Sequence, residues 1–314
     1  MVLCGIDIGG TKCAVSIGKS NGEDINILSR REISTSRSQS DALNSLAQIA
    51  KEMLGTETIS GIGISAGNPM DAEKGELKNP PNLHGWYGIS LTQYFSERLG
   101  APALLENDAN ACALAEYRWG AGKGSKYMVF ITFGTGFGAG VIVDGQILRG
   151  ACGNLGELGH WRISEHGPSG YGKIGSLEGF CSGGGIAKLA STVAEKYIQI
   201  GITPSYYHDI TAKSVAQAAF AGDKAAIEVY DISGRMLGKG LSLLIDFFNP
   251  DRIVIGSIYA RSHQLLENSM REELIKECLS DSYAACKILP AQLGGSIGDY
   301  AALAIAQMAA CQKI

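Results

Sequence analysis

Two kinds of apolar pattern alternate along this chain. Short apolar runs rich in β-branched residues are typical of buried strands, and longer stretches with apolar residues every three or four positions are typical of amphipathic helices. At the amino terminus, Val2 to Ile6 and Ala14 to Ile17 are apolar runs separated by a glycine turn, which predicts a β-hairpin. Helical spacing follows over 40–54, and a buried-strand pattern over 59–64. The alternation predicts an α/β fold with mixed sheets.

The rest of the chain continues this alternation. Residues 67–90 contain several proline and asparagine turn clusters and are predicted as a loop. Further strands are predicted at 103–106, 127–133, 141–143, 252–256 and 286–290. Further helices are predicted at 91–99, from 107 or 108 to Trp119, and at 183–199, 211–221, 224–248, 262–279 and 297–311.

The strand, glycine turn and strand of the amino terminus recur in the second half of the chain. There the glycine turn 134–140 separates the strands 127–133 and 141–143. Two such units, one in each half, suggest a duplicated architecture that holds a nucleotide between the halves.

Length and charge narrow the class of protein. A chain of 314 residues favours two domains, and a net charge of −4 argues against a basic nucleic-acid-binding surface. No apolar stretch reaches the length of a membrane span, and the start has no signal-peptide pattern. We therefore expect a cytoplasmic protein without nucleic-acid or membrane partners. The eight cysteines form no C-x-x-C pair, so buried free thiols are the simpler interpretation.

Glycine is over-represented, at 42 residues, and two glycine turns are candidate phosphate sites. Consecutive backbone N–H groups in such turns form a concavity that binds anions. The candidate nucleotide residues are Asp7, Gly9, Gly10, Thr11 and Lys12 in the first turn and Gly134, Thr135 and Gly136 in the second. The Asp7 carboxylate could hold hydrated Mg²⁺. A tight hairpin without a ligand would produce either turn alone, and the two together favour nucleotide binding.

These motifs resemble those of the ROK family of sugar kinases and repressors, within the actin-like ATPase (hexokinase-like) superfamily. The resemblance runs almost end to end, through DIGGTK at 7–12, NPPNLHGW at 79–86, ENDANACALAE at 106–116 and GSLEGFCSGGG at 175–185. Its most specific stretch is FGTGFGAGVIVDGQILRGACGNLGELGH at 133–160. The resemblance implies the two-domain actin-like (ribonuclease H-like) fold with an interdomain cleft.

The resemblance also implies roles for individual residues. Asp108 matches the catalytic base that accepts the proton of the attacking sugar hydroxyl, although an aspartate at a helix start can also be a capping residue. Matches to the sugar ligands are Asn82, Asn107, Glu157, His160 and Glu178. Asn107 could instead cap the helix, and the acidic residues and histidine could be ordinary surface groups. Gly256 and Ser257 match a glycine pair near the adenosine, with serine as a departure.

The zinc site of many ROK proteins is not matched. Where that resemblance implies three cysteine ligands, this chain has Ser169, Tyr171 and Ser176. Neutral hydroxyls are poor zinc ligands compared with thiolates, so we predict no zinc. Hydrogen bonds from Ser169, Tyr171 or Ser176 must then fix the loop.

The resulting hypothesis is an ATP-dependent kinase, using Mg²⁺, that phosphorylates a primary hydroxyl of a hexose such as glucose or of an N-acetylhexosamine, O6 above all. The alternative is a non-catalytic sugar-binding sensor derived from such a kinase. A DNA-binding repressor is not expected, because DIGGTK begins close to residue 1. The family topology implies one domain from 1–118 plus 297–314 and another from 119–296, and dimers are common in such proteins.

Overall fold

The computed structural model describes residues 1–312 of the chain. Its strands, in chain order, are β1 (Val2–Ile8), β2 (Lys12–Ser20), β3 (Ile25–Ser34), β4 (Gly61–Ala66), β5 (Met70–Asp71), β6 (Glu76–Lys78), β7 (Tyr87–Ser90), β8 (Ala103–Asn107), β9 (Tyr127–Phe133), β10 (Phe137–Val143), β11 (Gln146–Leu148), β12 (Ser169–Gly170), β13 (Lys173–Ile174), β14 (Arg252–Ile255) and β15 (Lys287–Pro290).

Helices cover much of the remaining chain. They are α1 (Gln39–Leu54), α2 (Leu91–Leu99), α3 (Asp108–Trp119), α4 (Leu177–Phe180), α5 (Gly183–Gln199), α6 (Ala212–Phe220), α7 (Lys224–Phe248), α8 (Ile258–Glu277), α9 (Ser280–Ala285) and α10 (Ile297–Cys311). Short 3₁₀ turns lie at Leu158–His160 and Gly294–Ser296. The predicted α/β class is confirmed.

The chain divides into two compact units. Unit 1 contains Met1–Gly124, Gly145–Gly153 and the chain from Leu293 onward, and unit 2 contains Ser125–Asp144 and Asn154–Gln292. The domain boundaries at 118 and 296 that the ROK resemblance implies stay a prediction.

Unit 1 is built on a mixed sheet with the strand order β3-β2-β1-β4-β8. The predicted hairpin is present as the antiparallel pair β1 and β2, and β4 and β8 add parallel strands. One apolar face is covered by α1 and α2, whose buried side chains include Leu43, Leu46 and Phe95. Parallel pairing brings the carboxyl ends of β1, β4 and β8 to one edge of the sheet, where Asp7 and Asn107 lie.

Glycines in β1 and β4 allow the last helix, α10, to lie directly against the sheet. A Cβ atom at Gly63 would stand 2.0 Å from the Ala302 carbonyl oxygen, and one at Gly61 would stand 2.3 Å from that of Ala306. Side chains at these positions would push α10 off the sheet. The close approach explains why these strands contain glycine, a residue that otherwise weakens a strand.

Unit 2 repeats the same arrangement of strands. Its sheet contains β10-β9-β14-β15 in that order, with β10 antiparallel to β9 and the others parallel. Helices α5, α6, α7 and α8 complete a core that includes Phe133, Ile186 and Tyr230. The duplicated strand, glycine turn and strand of the sequence therefore correspond to the first hairpin of each sheet.

Two local predictions were wrong, and one long strand was not predicted. The predicted loop at 67–90 contains the small sheet β5-β6-β7, whose strands of two to four residues are too short to show alternation. The strand β3 was not predicted, because most of its side chains are exposed and polar. The second glycine turn ends at Gly136, since β10 already begins at Phe137.

Among the described residues, no helix is both long and apolar enough to cross a membrane. Their eight cysteines are all free thiols. Four of them, Cys4, Cys13, Cys181 and Cys286, are buried, as predicted, whereas Cys152 and Cys311 are exposed.

Candidate functional site

The first glycine turn is held by the backbone and by neighbouring residues of unit 1. The Gly9 N–H donates to the Lys12 carbonyl oxygen over 3.0 Å, and the Thr35 hydroxyl donates to the Gly9 carbonyl oxygen over 2.6 Å. A Cβ at Gly9 would lie 2.8 Å from the Lys12 oxygen, and one at Gly10 would lie 2.7 Å from Asn82 Cβ. Both glycines are therefore required by close contacts. The turn also brings Asn82, a candidate sugar ligand, against Gly10.

Asp7 lies at the end of β1 near two other carboxylates of unit 1. Burial, and then the negative charges of Asp108 and Asp299, raise the pKa of Asp7 to about 6, and Arg30 opposes the shift. A Cβ at Gly298 would lie 2.7 Å from Asp7 Oδ2, so the start of α10 closes tightly on this carboxylate. Mg²⁺ binds proteins through one or two carboxylates and keeps several waters, so the Asp7 carboxylate alone could hold a hydrated ion.

Asp299 and Arg30 belong to this site, and sequence reasoning missed both. Asp299 is 6% exposed and accepts hydrogen bonds from the Ser16 hydroxyl over 2.5 Å and from Arg30 Nε over 3.0 Å. Arg30 lies on the unpredicted strand β3 and also contacts Glu32. Only the register of β2 with β3 reveals the pairing, because Ser16 lies opposite Arg30.

Thr11 and Lys12 are exposed at the tip of the same turn. The Lys12 ammonium lies 2.5 Å from Glu32 Oε1, and 65% of its side chain is exposed. Arg30 and Lys12 together hold the pKa of the Glu32 carboxyl below its usual value, with the hydrogen bond from Lys12 as the larger cause. A phosphate that binds Lys12 therefore competes with Glu32.

The junction of β8 and α3 shows which residue caps the helix, a question that the sequence left open between Asn107 and Asp108. Asn107 is the N-cap of α3, and its Oδ1 accepts from the backbone N–H groups of Ala109 (3.0 Å) and Asn110 (3.3 Å). Asp108 is the first helical residue, is exposed, and accepts from the Ala109 N–H over 2.8 Å. The capping interpretation thus applies mainly to Asn107. Asp108 thus lies at the positive end of the helix dipole, which attracts negative charge.

The second glycine turn, in unit 2, brings together three regions that the sequence predicted separately. The Gly134 N–H donates to the Gly136 carbonyl oxygen over 3.0 Å, and a Cβ at Gly134 would lie 3.3 Å from Ser257 Oγ. Glu178 Oε2 accepts from the Phe137 N–H over 3.1 Å and lies 3.0 Å from the Cβ position of Gly136. Gly136, a candidate nucleotide residue, therefore lies beside Glu178, a candidate sugar ligand.

The neighbouring nucleotide candidates lie at the ends of strands. Thr135 is exposed at the tip of the turn. Gly256 follows β14, and a Cβ there would lie 3.0 Å from the Phe130 ring. Ser257 has a φ of +57°, a left-handed conformation that favours glycine and explains why a glycine pair would suit this position.

Glu157 and His160 lie on a 3₁₀ turn next to Glu178. His160 Nε2 is 4.0 Å from Glu157 Oε2, and both side chains are nearly half exposed. Burial raises the pKa of the Glu178 carboxyl, while the Phe137 N–H and His160 oppose that shift. The structure therefore brings three of the five candidate sugar ligands together in unit 2, and it places Asn82 and Asn107 in unit 1.

The segment that replaces the cysteine ligands forms a small hairpin. Ser169–Gly170 pairs with Lys173–Ile174, and the turn between them has left-handed conformations at Tyr171 (φ +49°) and Gly172 (φ +70°). Ser176 is fully buried, and its hydroxyl accepts from the Gly170 and Gly179 N–H groups over 3.1 and 3.2 Å. Within residues 1–312, no three histidine, cysteine, aspartate or glutamate side chains are arranged to hold a metal ion. The absence of zinc stays a prediction.

Comparison with known proteins places these features in context. The sequence model of the ROK family matches residues 3–309. A glucokinase of Halalkalibacterium halodurans is 32% identical over 305 residues, which cover 94% of this chain and 91% of the relative. A solved ROK family glucokinase from Streptomyces griseus, in complex with glucose and AMPPNP, matches with a TM-score of 0.78 and 29% identity, over 98% of this chain and all of that one.

A regulator shares the fold as well. The solved structure of a ROK family transcriptional regulator, a homologue of the E. coli MLC protein, matches with a TM-score of 0.86 and 25% identity. The match covers 98% of this chain and 78% of that one.

Proposed function

Because this chain belongs to the ROK family and is a sugar kinase, we propose that it transfers the γ-phosphate of ATP to a primary hydroxyl, O6, of a hexose such as glucose or of an N-acetylhexosamine. The observation that best supports the proposal is the arrangement of residues at the junction between β8 and α3. There Asn107 caps the helix, so the exposed Asp108 carboxylate is not required as the N-cap.

Asp108 acts as the general base. Its Oδ1 is oriented by the Ala109 N–H at the start of a helix, and the carboxylate accepts the proton of the sugar hydroxyl as that oxygen attacks phosphorus. Phosphoryl transfer demands little covalent chemistry from a protein, so orientation of the hydroxyl and stabilisation of phosphate charge account for most of the rate.

Each glycine turn, within its own unit, binds phosphate of the nucleotide. The backbone N–H groups of these turns donate hydrogen bonds to phosphate oxygens, near Gly9, Gly10, Gly134 and Gly136. Thr11 and Thr135 add hydroxyl groups. Lys12 leaves its ion pair with Glu32 and binds a phosphate instead. Gly256 and Ser257 border the adenosine. When bound, Mg²⁺ neutralises charge on the β- and γ-phosphates, and Asp7 is the residue that would hold it through water.

Each unit contains polar side chains that would recognise sugar hydroxyls. In unit 1, Asn107 uses Oδ1 for capping, which leaves its Nδ2 group for a sugar oxygen, and Asn82 lies beside the first glycine turn. In unit 2, Glu157, His160 and Glu178 form the other set. Carboxylates accept hydrogen bonds from sugar hydroxyls, and an imidazole can accept or donate them. Such partners are needed because burial of a hydroxyl without a hydrogen bond is costly.

A coupled assay of ADP formation over glucose, mannose, fructose, allose and N-acetylated hexosamines tests the proposal. We expect sugar-dependent ADP release with at least one of them. Asp108→Asn should lower kcat by about 10²- to 10⁴-fold, because the base is lost, while calorimetric sugar binding is largely kept. Near-normal turnover in this variant would exclude Asp108 as the base.

The match to a transcriptional regulator supports one alternative, a non-catalytic sugar sensor. The same sugar panel distinguishes the two functions. A sensor binds a sugar of the panel without releasing ADP, whereas a kinase does both.

A further inference from the structure

A buried glutamate lies directly before the two residues on which the proposed chemistry depends. Glu106, on β8, is 3% exposed. Its Oε1 accepts from the Asn107 N–H over 3.1 Å and from Asn110 Nδ2 over 2.9 Å. The Glu106 carboxylate therefore holds the residues on both sides of Asp108.

Arg149 supplies the opposite charge. It belongs to the segment Gly145–Gly153, which is part of unit 1. Arg149 Nε and one terminal nitrogen donate to Glu106 Oε2 over 2.9 and 2.6 Å. Both carboxylate oxygens of Glu106 thus have two donors each. A charge buried this deeply is tolerated only when it is paired and fully hydrogen-bonded.

Asn110 depends on the same carboxylate. It is 2% exposed, and its Oδ1 has no hydrogen-bond partner among the described residues. Its amide group is therefore oriented through Nδ2 by Glu106. Without Glu106, the start of α3 would lose two hydrogen bonds, one from Asn107 and one from Asn110, which lie on either side of Asp108.

We propose that Arg149 and Glu106 are positioning residues for the kinase reaction. Arg149 fixes the Glu106 carboxylate, and Glu106 fixes the backbone of Asn107 and the side chain of Asn110, which set the direction of Asp108. The inference rests on the proposed role of Asp108. Displacement of a reacting group by about 1 Å costs about 10²-fold in rate, so a modest shift of this turn is sufficient to reduce turnover.

The main experiment compares Arg149→Met and Arg149→Lys with the wild type. We expect Arg149→Met to lower kcat about 10- to 100-fold with KM for ATP nearly unchanged, because the nucleotide residues are elsewhere. Arg149→Lys should recover only part of the loss, since lysine cannot place two N–H groups on one carboxylate in the guanidinium geometry. Arg31→Met, which removes an exposed pair with Glu52 in the same unit, is the control and should leave kcat unchanged.

A double-mutant cycle separates positioning from a general structural role. In the Asp108→Asn background, Arg149→Met should cause almost no further loss of kcat, because residues that act through one group are not additive. Full additivity of the two losses would overturn the proposal, as would an Arg149→Met enzyme with wild-type kcat.

Two further measurements keep the test decisive. If Arg149→Met does not fold, the double variant Glu106→Gln and Arg149→Met removes both charges and should restore folding while kcat stays low.

Amide hydrogen exchange at residues 107–110 should be faster in the Arg149 variants than in the wild type or in Arg31→Met. This readout does not require activity, so it still tests the positioning pair if the whole sugar panel shows no turnover, a result that would reject only the proposed function. Unchanged exchange would overturn the inference.

Discussion

The Tyr171 ring lies against the His160 ring, with 4.9 Å between the ring centroids and an angle of 37° between the planes. Lys173 Nζ also donates to the His160 carbonyl oxygen over 2.7 Å. Both contacts come from the segment in which the ROK resemblance implies zinc-binding cysteines. Stacking and hydrogen bonds therefore hold the histidine that a metal would otherwise fix. Ser176 supplies the predicted hydroxyl hydrogen bonds, and Tyr171 contributes a ring contact.

Removal of the Tyr171 ring should weaken sugar binding. An aromatic contact of this kind contributes about 0.5–1.5 kcal/mol, so Tyr171→Ala should raise KM for the sugar about two- to tenfold, and Tyr171→Phe should keep it near the wild-type value. Steady-state kinetics with varied sugar provides the measurement. Tyr207→Ala is a matched control, because Tyr207 is an exposed tyrosine of unit 2 that contacts His208. Equal effects of the two alanine variants would argue against a role for the Tyr171 contact.

Zinc should be absent from the purified protein. We expect elemental analysis to find far less than one equivalent of zinc per chain, because Ser169, Tyr171 and Ser176 provide no thiolate. After treatment with a chelator, addition of Mg²⁺ alone should restore all activity. One tightly bound zinc ion per chain, or recovery that requires zinc, would contradict the prediction.

The buried charge of Asp7 should make stability depend on pH. Burial raises the pKa of Asp7 from 3.8 to about 6, so the folded protein carries an unfavourable charge above that pH. In Mg²⁺-free buffer near neutral pH, Asp7→Asn should raise the free energy of unfolding by about 3 kcal/mol. As the pH falls from about 6 toward 4, folded wild type binds a proton more readily than the unfolded chain, and the difference should shrink.

Urea unfolding at about pH 7.5 and about pH 5 measures this difference. Asp24→Asn, at an exposed aspartate of unit 1, serves as the control. The difference in unfolding free energy between Asp7→Asn and the wild type should be smaller at the lower pH. If it stays constant or widens, Asp7 does not cause the pH dependence. Stabilisation by Mg²⁺ and AMPPNP should be weaker in Asp7→Asn than in the wild type.

The ROK resemblance implies a homodimer, and unit 2 has an exposed apolar patch that would suit its interface. It consists of Leu243 and Phe247 on α7, Ile275 on the last turn of α8 and Leu279 just before α9, each more than half exposed, with Phe247 at 86%. The Leu279 N–H donates to Asp246 over 3.1 Å, which places the two pairs side by side. Large contiguous apolar patches are typical of protein interfaces.

Phe247→Glu should shift the protein from dimer to monomer in sedimentation velocity, because it places a charge in the patch. Phe220→Glu, at an exposed phenylalanine of α6, should leave the dimer intact. A wild type that sediments as a monomer would reject the dimer, and a dimer that tolerates Phe247→Glu would reject this patch as its interface.

The two glycine turns, a cap at Asn107 or Asp108 and the long strands and helices other than β3 were predictable from the sequence, because each depends on residues close to one another in the chain. Glycines are needed where a Cβ would collide within the turn itself, and asparagine caps the helix that begins immediately after it. Hydrophobic periodicity likewise reports local geometry. The departure from the zinc motif was equally visible, since it depends on residue type alone.

Only the tertiary structure decided which distant residues meet. Glu106 and Arg149 are separated by 43 positions, and Asp299 reaches Ser16 across nearly the whole chain, so no local pattern could pair them. Strand β3 was missed because an exposed polar strand has no apolar face, and its position is set by pairing with β2. Burial and the charges of neighbouring elements, which depend on packing, likewise determine the raised pKa of Asp7.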